Sequence, residues 1–223
     1  MAIFDIIGPI MIGPSSSHTA GANRIGYMAS LIYGKSFNSV EIKLYNSFAS
    51  TGKGHGTDKA IVAGLLGMKM DDEQIPYAFE IAKKKNLRYY FRKSYKLDHH
   101  PNEVRFVFNR GNEDSFLVRG ISIGAGKAQI TQVQSDKVEF GGDHAVLLLN
   151  YVDVPGMIGF IGEILGKHKI NVAYMQSARN ALQKSAMALL KLDELCPSTA
   201  VEDLKSNKNM HQVISIRKLN NEY

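Results

Sequence analysis

The order of hydrophobic patterns along the chain constrains its fold more than any other feature. Helical spacing of apolar residues dominates to about residue 86, with one alternating stretch at residues 40–44. From residue 88 apolar residues alternate with polar ones in segments rich in β-branched and aromatic side chains. Four strands are predicted there, at residues 88–94, 103–109, 115–122 and 127–134. Helices followed by strands predict an α+β domain instead of a doubly wound parallel sheet.

The pattern restarts after Gly141-Gly142-Asp143, which has the composition of a linker. Beyond it the order of predicted elements is strand, helix, strand, strand, helix, strand. These elements cover residues 144–150, 157–169, 171–177, 185–192, 199–205 and 212–218. This βαββαβ order is the ferredoxin-like split arrangement. The sequence therefore predicts two domains, 1–140 and 144–223.

Composition places the chain among globular proteins and argues against two classes of partner. Hydrophobic residues make up 44% and charged residues 22% of the chain, and no apolar run approaches the roughly 18 residues of a membrane span. No basic region precedes the apolar residues at the N-terminus, so we expect no secretory signal and a cytoplasmic location. The net charge of +6 is spread over both halves, without a basic stripe interleaved with aromatic residues. We therefore expect neither a nucleic acid nor a membrane as a partner.

The cysteine content limits the cofactors that the chain can hold. Cys196 is the single cysteine of the sequence, so an intrachain disulfide is impossible. Iron–sulfur clusters are held mainly by several thiolates. If the chain works with such a cluster, another polypeptide must supply the ligands.

The segment from Gly13 to Gly21 carries the densest set of chemically useful side chains. Pro14 is followed by three serines, His18 and Thr19, and then by a helical pattern. Serine and threonine are good helix caps, and the free N–H groups at a helix start favour an anion such as a carboxylate or a phosphate. His18 adds a group that can carry a proton near neutral pH. The alternative is a helix cap with an incidental histidine.

Three further polar side chains occur in loops or at a strand end. His55 lies between two glycines in the Ser-, Gly- and Thr-rich residues 46–56, which are predicted to form a loop. Asn102 closes a His-His-Pro-Asn turn, where it could bind a carboxylate or an ammonium group, and Ser122 precedes a glycine-rich turn. For His55 the alternative is an ordinary surface histidine, and adjacent histidines in the turn rarely share one zinc ion.

Four separated segments resemble the iron–sulfur-dependent L-serine dehydratases, specifically their beta chain or beta domain. These segments are Gly13–Gly21, Gly54-His55-Gly56-Thr57-Asp58, His100-Pro101-Asn102-Glu103 and Ser122-Ile123-Gly124-Ala125-Gly126. The resemblance covers essentially the whole chain, and the second domain, with its Asp-x-Pro-Gly after the first strand, resembles an ACT domain. Ala125 stands where the family pattern has a third glycine, which argues against a strict need for positive φ at that position.

The resemblance implies an L-serine ammonia-lyase that forms pyruvate and ammonia, with a 4Fe–4S cluster on a separate alpha chain. One iron would act as a Lewis acid on the substrate hydroxyl, and this chain would bind no metal. The implied catalytic residues are His18 and His55, and the implied substrate-binding residues are Ser15, Ser16, Ser17, Thr19, Asn102 and Ser122. The implied effector residues of the ACT domain are Asp153, Gly156 and Asn171. Such domains usually pair side by side, and both a serine-sensing and a purely dimerising role are open.

Two other functions remain open on the sequence alone. One is a non-catalytic subunit that senses an amino acid or regulates an assembly. The other is a free-standing metal hydrolase that uses His18, His55 and His100. The N-terminal domain also resembles the extra substrate-binding domain of some phosphoglycerate dehydrogenases, but the chain has no G-x-G-x-x-G and is not a dehydrogenase itself.

Overall fold

The computed structural model describes residues 10–113, 115–180 and 184–219, and for Asn180 it describes the backbone alone. The start of the chain, which carries the expectation about a secretory signal, lies outside these residues. The chain divides into two compact units between Gly141 and Gly142. Within the described residues, no helix is long and apolar enough to cross a membrane.

In its described residues, the N-terminal unit combines four α-helices with one six-stranded sheet. Its helices are α1 (Gly21–Tyr33), α2 (Asn46–Thr51), α3 (Thr57–Leu65) and α4 (Ala78–Lys84), with a π-helical turn at Ser16–Ala20 and a 3-10 turn at Ile75–Tyr77. Its strands are β1 (Ser39–Tyr45), β2 (Arg88–Ser94), β3 (Glu103–Phe108), β4 (Phe116–Gly124), β5 (Lys127–Val133) and β6 (Asp136–Phe140). The strand order is β2-β1-β3-β4-β5-β6; β1 and β2 are parallel, and every other neighbouring pair is antiparallel.

The predicted α+β class is confirmed, whereas the predicted loop at residues 46–56 is wrong in its first half. Residues 46–51 form α2 because Phe48 is fully buried and Ala49 is buried beside it. The Phe48 N–H also donates to the carbonyl of Pro101, 3.3 Å away. Tertiary burial therefore overrides the weak helix propensity of this Ser- and Thr-rich segment.

Two further details differ from the sequence interpretation. Strand β6 was not predicted, although Val138 and Phe140 alternate with polar residues and are buried. The expectation that position 125 has no strict need for a positive φ is wrong. The φ of Ala125 is 49°, and the glycines on either side of it also have positive φ. A non-glycine residue in this conformation costs roughly 1–2 kcal/mol.

Helices α1 and α3 pack with their backbones in unusually close contact. A Cβ atom at Gly64 of α3 would lie 2.1 Å from the carbonyl oxygen of Asn23 in α1. A Cβ atom at Gly26 of α1 would lie 2.5 Å from the carbonyl oxygen of Ile61 in α3. The Asn23 side chain spans the same contact and donates to the carbonyls of Ala60 and Met68, both at 3.2 Å. This contact fixes the position of α1 and of the turn that precedes it.

Part of the positive charge of the N-terminal unit is engaged in ion pairs on its sheet. The Glu41 carboxylate is buried and accepts from Arg92 at 2.7 Å and from Arg110. A third guanidinium, that of Arg105, lies 3.6 Å from the same carboxylate. These arginines hold a buried carboxylate, which is a structural use for cations.

The C-terminal unit has the predicted βαββαβ order. It contains β7 (Ala145–Val152), α5 (Met157–Lys167), β8 (Val172–Asn180), β9 (Ser185–Leu192), α6 (Ser198–Lys205) and β10 (Met210–Ile216). The strand order is β10-β7-β9-β8 with antiparallel neighbours throughout. Alternate residues of β7 and β9 form the core with Ile161 and Leu165 of α5 and Leu204 of α6. Strands β8 and β10 are the two edges of this sheet.

Candidate functional site

The predicted serine-rich segment forms a capped π-helical turn at the start of α1. The Ser15 Oγ accepts a hydrogen bond from the His18 N–H at 3.1 Å. The Ser15 carbonyl accepts from the N–H groups of Thr19 at 2.8 Å and Ala20 at 3.2 Å. The N–H groups of Ser16 and Ser17 belong to the first turn, where the helix itself offers no acceptor. The turn therefore presents backbone donors and hydroxyls at the positive end of a helix dipole.

His18 is held through both of its ring nitrogens. Its Nδ1 lies 3.0 Å from the Ser17 Oγ, and its Nε2 lies 3.0 Å from the Ser47 Oγ in α2. The ring packs edge-on against Phe48 with the centroids 5.2 Å apart. It also lies beside the ring of His55, 5.0 Å between centroids. The two predicted catalytic histidines are thus neighbours in the folded unit, although they are distant in the sequence.

The environment lowers the pKa of His18 below its ordinary value of 6.5. Burial is the larger cause, because it disfavours the charged imidazolium, and the nearby His55 adds repulsion. His18 is therefore mostly neutral near pH 7, which leaves one nitrogen able to accept a proton.

A histidine titration tests this arrangement. We expect His18 to titrate below pH 6.5 in NMR spectra of the chain, and His55→Asn to raise its pKa while leaving it below the ordinary value. Since the folded pKa is the lower one, the unfolded chain takes up the proton first as pH falls. Stability should therefore decrease from about pH 6.5 down through the folded pKa. A His18 titration midpoint at or above pH 6.5 would contradict the geometry. A midpoint that is the same in the wild type and in His55→Asn would also contradict it.

His55 is oriented by the backbone of α2. Its Nδ1 lies 3.1 Å from the carbonyl of Thr51, which can only accept, so in the neutral ring Nδ1 carries the proton and Nε2 is the basic nitrogen. Its own carbonyl accepts from the Thr19 hydroxyl at 2.9 Å. Gly56 follows with φ of 66° and begins α3 as its N-cap residue, a conformation that favours glycine.

Asn102 and Ser122 are joined to each other, and Ser122 lies against the start of α1. The Ser122 N–H donates to the Asn102 carbonyl at 2.9 Å. A Cβ atom at Gly21 would lie 2.1 Å from the Ser122 Oγ, so this hydroxyl lies directly under the start of α1. Within the described residues, Asn102 Oδ1 and Ser122 Oγ are buried without a hydrogen-bond partner. Unpaired buried polar atoms are unfavourable, and a ligand could satisfy them.

The predicted effector residues of the C-terminal unit do not come together within one copy. Asp153 and Gly156 follow the end of β7, where Arg179 of β8 lies 2.9 Å from the Asp153 carboxylate. Asn171 precedes β8, and its side chain donates to Asp193 at 2.6 Å. The register shows the separation: Val172 pairs with Leu192, whose other neighbour is Ala145 at the start of β7. Asn171 is therefore about one strand length, about 25 Å, from Asp153.

The donor groups of the chain do not fit an iron–sulfur cluster. Burial raises the pKa of the Cys196 thiol to about 11, so the sulfur stays protonated at neutral pH. Among residues 10–113, 115–180 and 184–219 no three His, Cys, Asp or Glu side chains are grouped to hold a metal ion. A cluster of the kind that the resemblance implies has no ligand set in this part of the chain.

A cleft of about 790 Å³ opens elsewhere in the N-terminal unit, between α4 and the start of β2. It is lined by Phe79, Lys83 and Tyr89 among others. None of the predicted site residues lines it, so the candidate site is defined by its hydrogen bonds and not by this cleft.

Sequence reasoning missed Ser47 and Thr57. Ser47 holds His18, and the Thr57 Oγ1 is a further buried atom without a partner in the described part of the chain. Thr57 lies inside the Gly54–Asp58 segment, which carried part of the family resemblance. That position in the segment was a weak indication that Thr57 belongs to the site. No local pattern marks Ser47, because its partner is 29 residues away.

Comparison with known proteins gives matches over most of the chain. The family model described as "Serine dehydratase beta chain" matches residues 2–136. The L-serine dehydratase beta chain of Peptoniphilus asaccharolyticus is 40% identical, over 91% of this chain and 90% of the relative. A probable L-serine dehydratase beta chain of Bacillus subtilis is 38% identical, over 96% of this chain and 97% of the relative. A D-3-phosphoglycerate dehydrogenase of Methanocaldococcus jannaschii is 26% identical over 87% of this chain, but over 37% of its own length.

Proposed function

Because the chain belongs to the serine dehydratase beta-chain family, we propose that it is the beta subunit of an L-serine dehydratase. It would work with an alpha chain that carries the iron–sulfur cluster, and it would be inactive alone. The family assignment favours this function over a purely sensing or regulatory subunit. The observation that carries the proposal is that this chain aligns with two L-serine dehydratase beta chains over at least 90% of their length, at 38–40% identity.

The reaction defines what the beta subunit has to supply. Loss of the Cα proton and the β-hydroxyl from serine releases water and leaves an enamine. The enamine takes a proton at Cβ to give an imine, and water then converts the imine to pyruvate and ammonia. The substrate must be held by its carboxylate and ammonium groups, and protons must be moved at Cα and Cβ.

The turn at Ser15–Thr19 suits the substrate carboxylate. It offers the first-turn N–H groups of Ser16 and Ser17 together with hydroxyls at the positive end of α1. The unpartnered Asn102 Oδ1 is an acceptor within the described residues, and acceptors suit the substrate ammonium group. The Ser122 hydroxyl lies directly under the start of α1 and also has no partner within the described residues, so it would be a second buried contact for the substrate.

His18 and His55 suit the proton transfers. Both are partly exposed, their rings are adjacent, and His55 presents an unprotonated Nε2 when neutral. We assign them jointly as proton carriers for the elimination. The metal hydrolase alternative is not supported, because His18, His55 and His100 are not grouped to hold a metal ion in the described part of the chain.

Anaerobic reconstitution tests the function directly. We expect no pyruvate from L-serine with the beta chain alone, and turnover after mixing with the cluster-bearing alpha chain of an L-serine dehydratase. Iron content and pyruvate release are measured for each chain and for the mixture. Turnover by the beta chain alone, several irons bound to it, or no turnover in a mixture that forms a complex would each refute the proposal.

Self-association through the C-terminal unit is the second part of the proposal. The edge strand β8 is exposed, with Tyr174 at 47% and Met175 at 37% exposure, and one side of its backbone has no neighbouring strand in the described sheet. Two copies that pair antiparallel along β8 would bring Asn171 of one copy to the Asp153 and Gly156 end of the other. An ACT-type effector site would then be completed only by the dimer.

Edge substitution tests this pairing. We expect Met175→Lys to raise the dissociation constant of the dimer at least tenfold in the full chain, because a charge at the edge strand opposes pairing. Sedimentation equilibrium gives the constant. Leu97→Lys is the control, since Leu97 is fully exposed in the other unit. Equal dissociation constants for the wild type and Met175→Lys would place the association elsewhere.

A further inference from the structure

We propose that Ser47 is a positioning residue for His18, and that Ser17, His18 and Ser47 form a proton relay in the candidate site. The proposal rests on the proposed function for its catalytic meaning. The relay itself is a property of the folded chain. Ser47 lies in none of the four segments that carried the family resemblance.

The two partners of His18 are both hydroxyls, each 3.0 Å from a ring nitrogen. A hydroxyl can donate or accept, so either neutral tautomer of the ring is fully hydrogen-bonded. A carboxylate partner would instead fix one tautomer and favour the imidazolium. Within the described residues, His18 makes no hydrogen bond to a carboxylate, and the titratable side chain against it is His55.

This arrangement lets one proton cross the ring without a net change in charge. Ser17 passes its hydroxyl proton to Nδ1 and takes another proton from the substrate side. Nε2 releases its proton to Ser47, which is partly exposed and passes its own hydroxyl proton to solvent. One proton enters and one leaves, and the ring ends as the other tautomer. The reverse sequence takes a proton from solvent, delivers one to the substrate side for Cβ, and restores the first tautomer.

Ser47 can position the ring because α2 is itself tightly held. The neighbouring Phe48 is fully buried, and its N–H bonds the carbonyl of Pro101. The Asn46 side chain bonds the backbone of Lys96 and His99 at 2.8–2.9 Å. The Ser47 carbonyl accepts from the Thr51 hydroxyl at 2.9 Å. A hydroxyl on so fixed a backbone sets the plane and the depth of the His18 ring.

A spectroscopic test uses the beta chain alone. Long-range ¹H–¹⁵N NMR spectra report the tautomer of each histidine. We expect both tautomers of His18 in the wild type and in Ser47→Thr, and one dominant tautomer in Ser47→Ala. Ser50→Ala is the matched control, because the Ser50 hydroxyl bonds the Ser47 carbonyl and not His18. An unchanged tautomer ratio in Ser47→Ala would overturn the proposal.

An activity test uses the reconstituted complex. We expect Ser47→Ala to lower kcat about 10- to 100-fold with KM changed less than about threefold, since a misplaced proton carrier slows chemistry more than binding. Ser47→Thr keeps the hydroxyl and should have most of the wild-type activity. Ser47→Cys fills the same space as serine and is used if the alanine variant is unstable. Wild-type kcat in Ser47→Ala and Ser47→Cys would refute the relay. If the wild-type mixture makes no pyruvate, the proposed function fails, and the NMR result still decides the role of Ser47.

Discussion

Replacing His18 with alanine is expected to lower the kcat of the reconstituted dehydratase by about 10²- to 10⁴-fold, the usual range for removing a positioned proton carrier. The ring is the one group in the described structure that touches the Ser17 hydroxyl, the Ser47 hydroxyl and the His55 ring at once. Its loss disconnects the serine-rich turn from α2 as well as removing a base. The initial rate of pyruvate formation at saturating serine measures the effect.

The controls separate chemistry from folding. His18→Gln keeps a polar side chain between the two serines but cannot carry a proton, so it should remain as slow as the alanine variant. His211→Ala removes an exposed histidine of the C-terminal unit and should leave kcat within about twofold of the wild type. Thermal unfolding and complex formation are compared for all three. If His18→Ala keeps full turnover, the turn is a structural helix cap and the catalytic assignment is wrong.

The strands and the helix start could be predicted because they depend on local properties. Alternation of apolar residues is set by which side of a strand is buried, and it located β3, β4 and β5 to within two residues at each end. Capping chemistry placed the helix start at the Ser15–Thr19 segment, and the Ser15 hydroxyl does accept from the His18 N–H.

The remaining features depend on contacts between distant segments. The helical conformation of residues 46–51 follows from the burial of Phe48, and that helix places the Ser47 hydroxyl beside His18. The separation of Asn171 from Asp153 likewise follows from the strand order β10-β7-β9-β8, which no local pattern contains. Sequence reasoning therefore found the segments of the candidate site but not the side chain of α2 that holds His18.

The second large effect concerns stability: Gly64→Ala is expected to destabilise the N-terminal unit by about 3 kcal/mol, at the upper end of overpacking penalties. The new Cβ would lie 2.1 Å from the Asn23 carbonyl oxygen and 2.7 Å from the Tyr27 nitrogen, both backbone atoms that cannot rotate away. Helices α1 and α3 would have to separate by about 1.3 Å or more to reach an ordinary contact distance. The gain in helix propensity from glycine to alanine, about 1 kcal/mol, is too small to offset this.

Gly162→Ala is the matched control for this substitution. Gly162 lies in α5, where an added Cβ atom would meet no neighbouring side chain or segment within 4 Å among the described residues. Alanine there should stabilise the C-terminal unit by up to about 1 kcal/mol. Urea unfolding followed by circular dichroism gives both free energies. Because α1 carries the turn that holds His18, Gly64→Ala should also shift the His18 NMR signals in the protein that remains folded. Unchanged stability together with unchanged His18 signals would show that the two helices can separate freely, contrary to the close backbone contact between them.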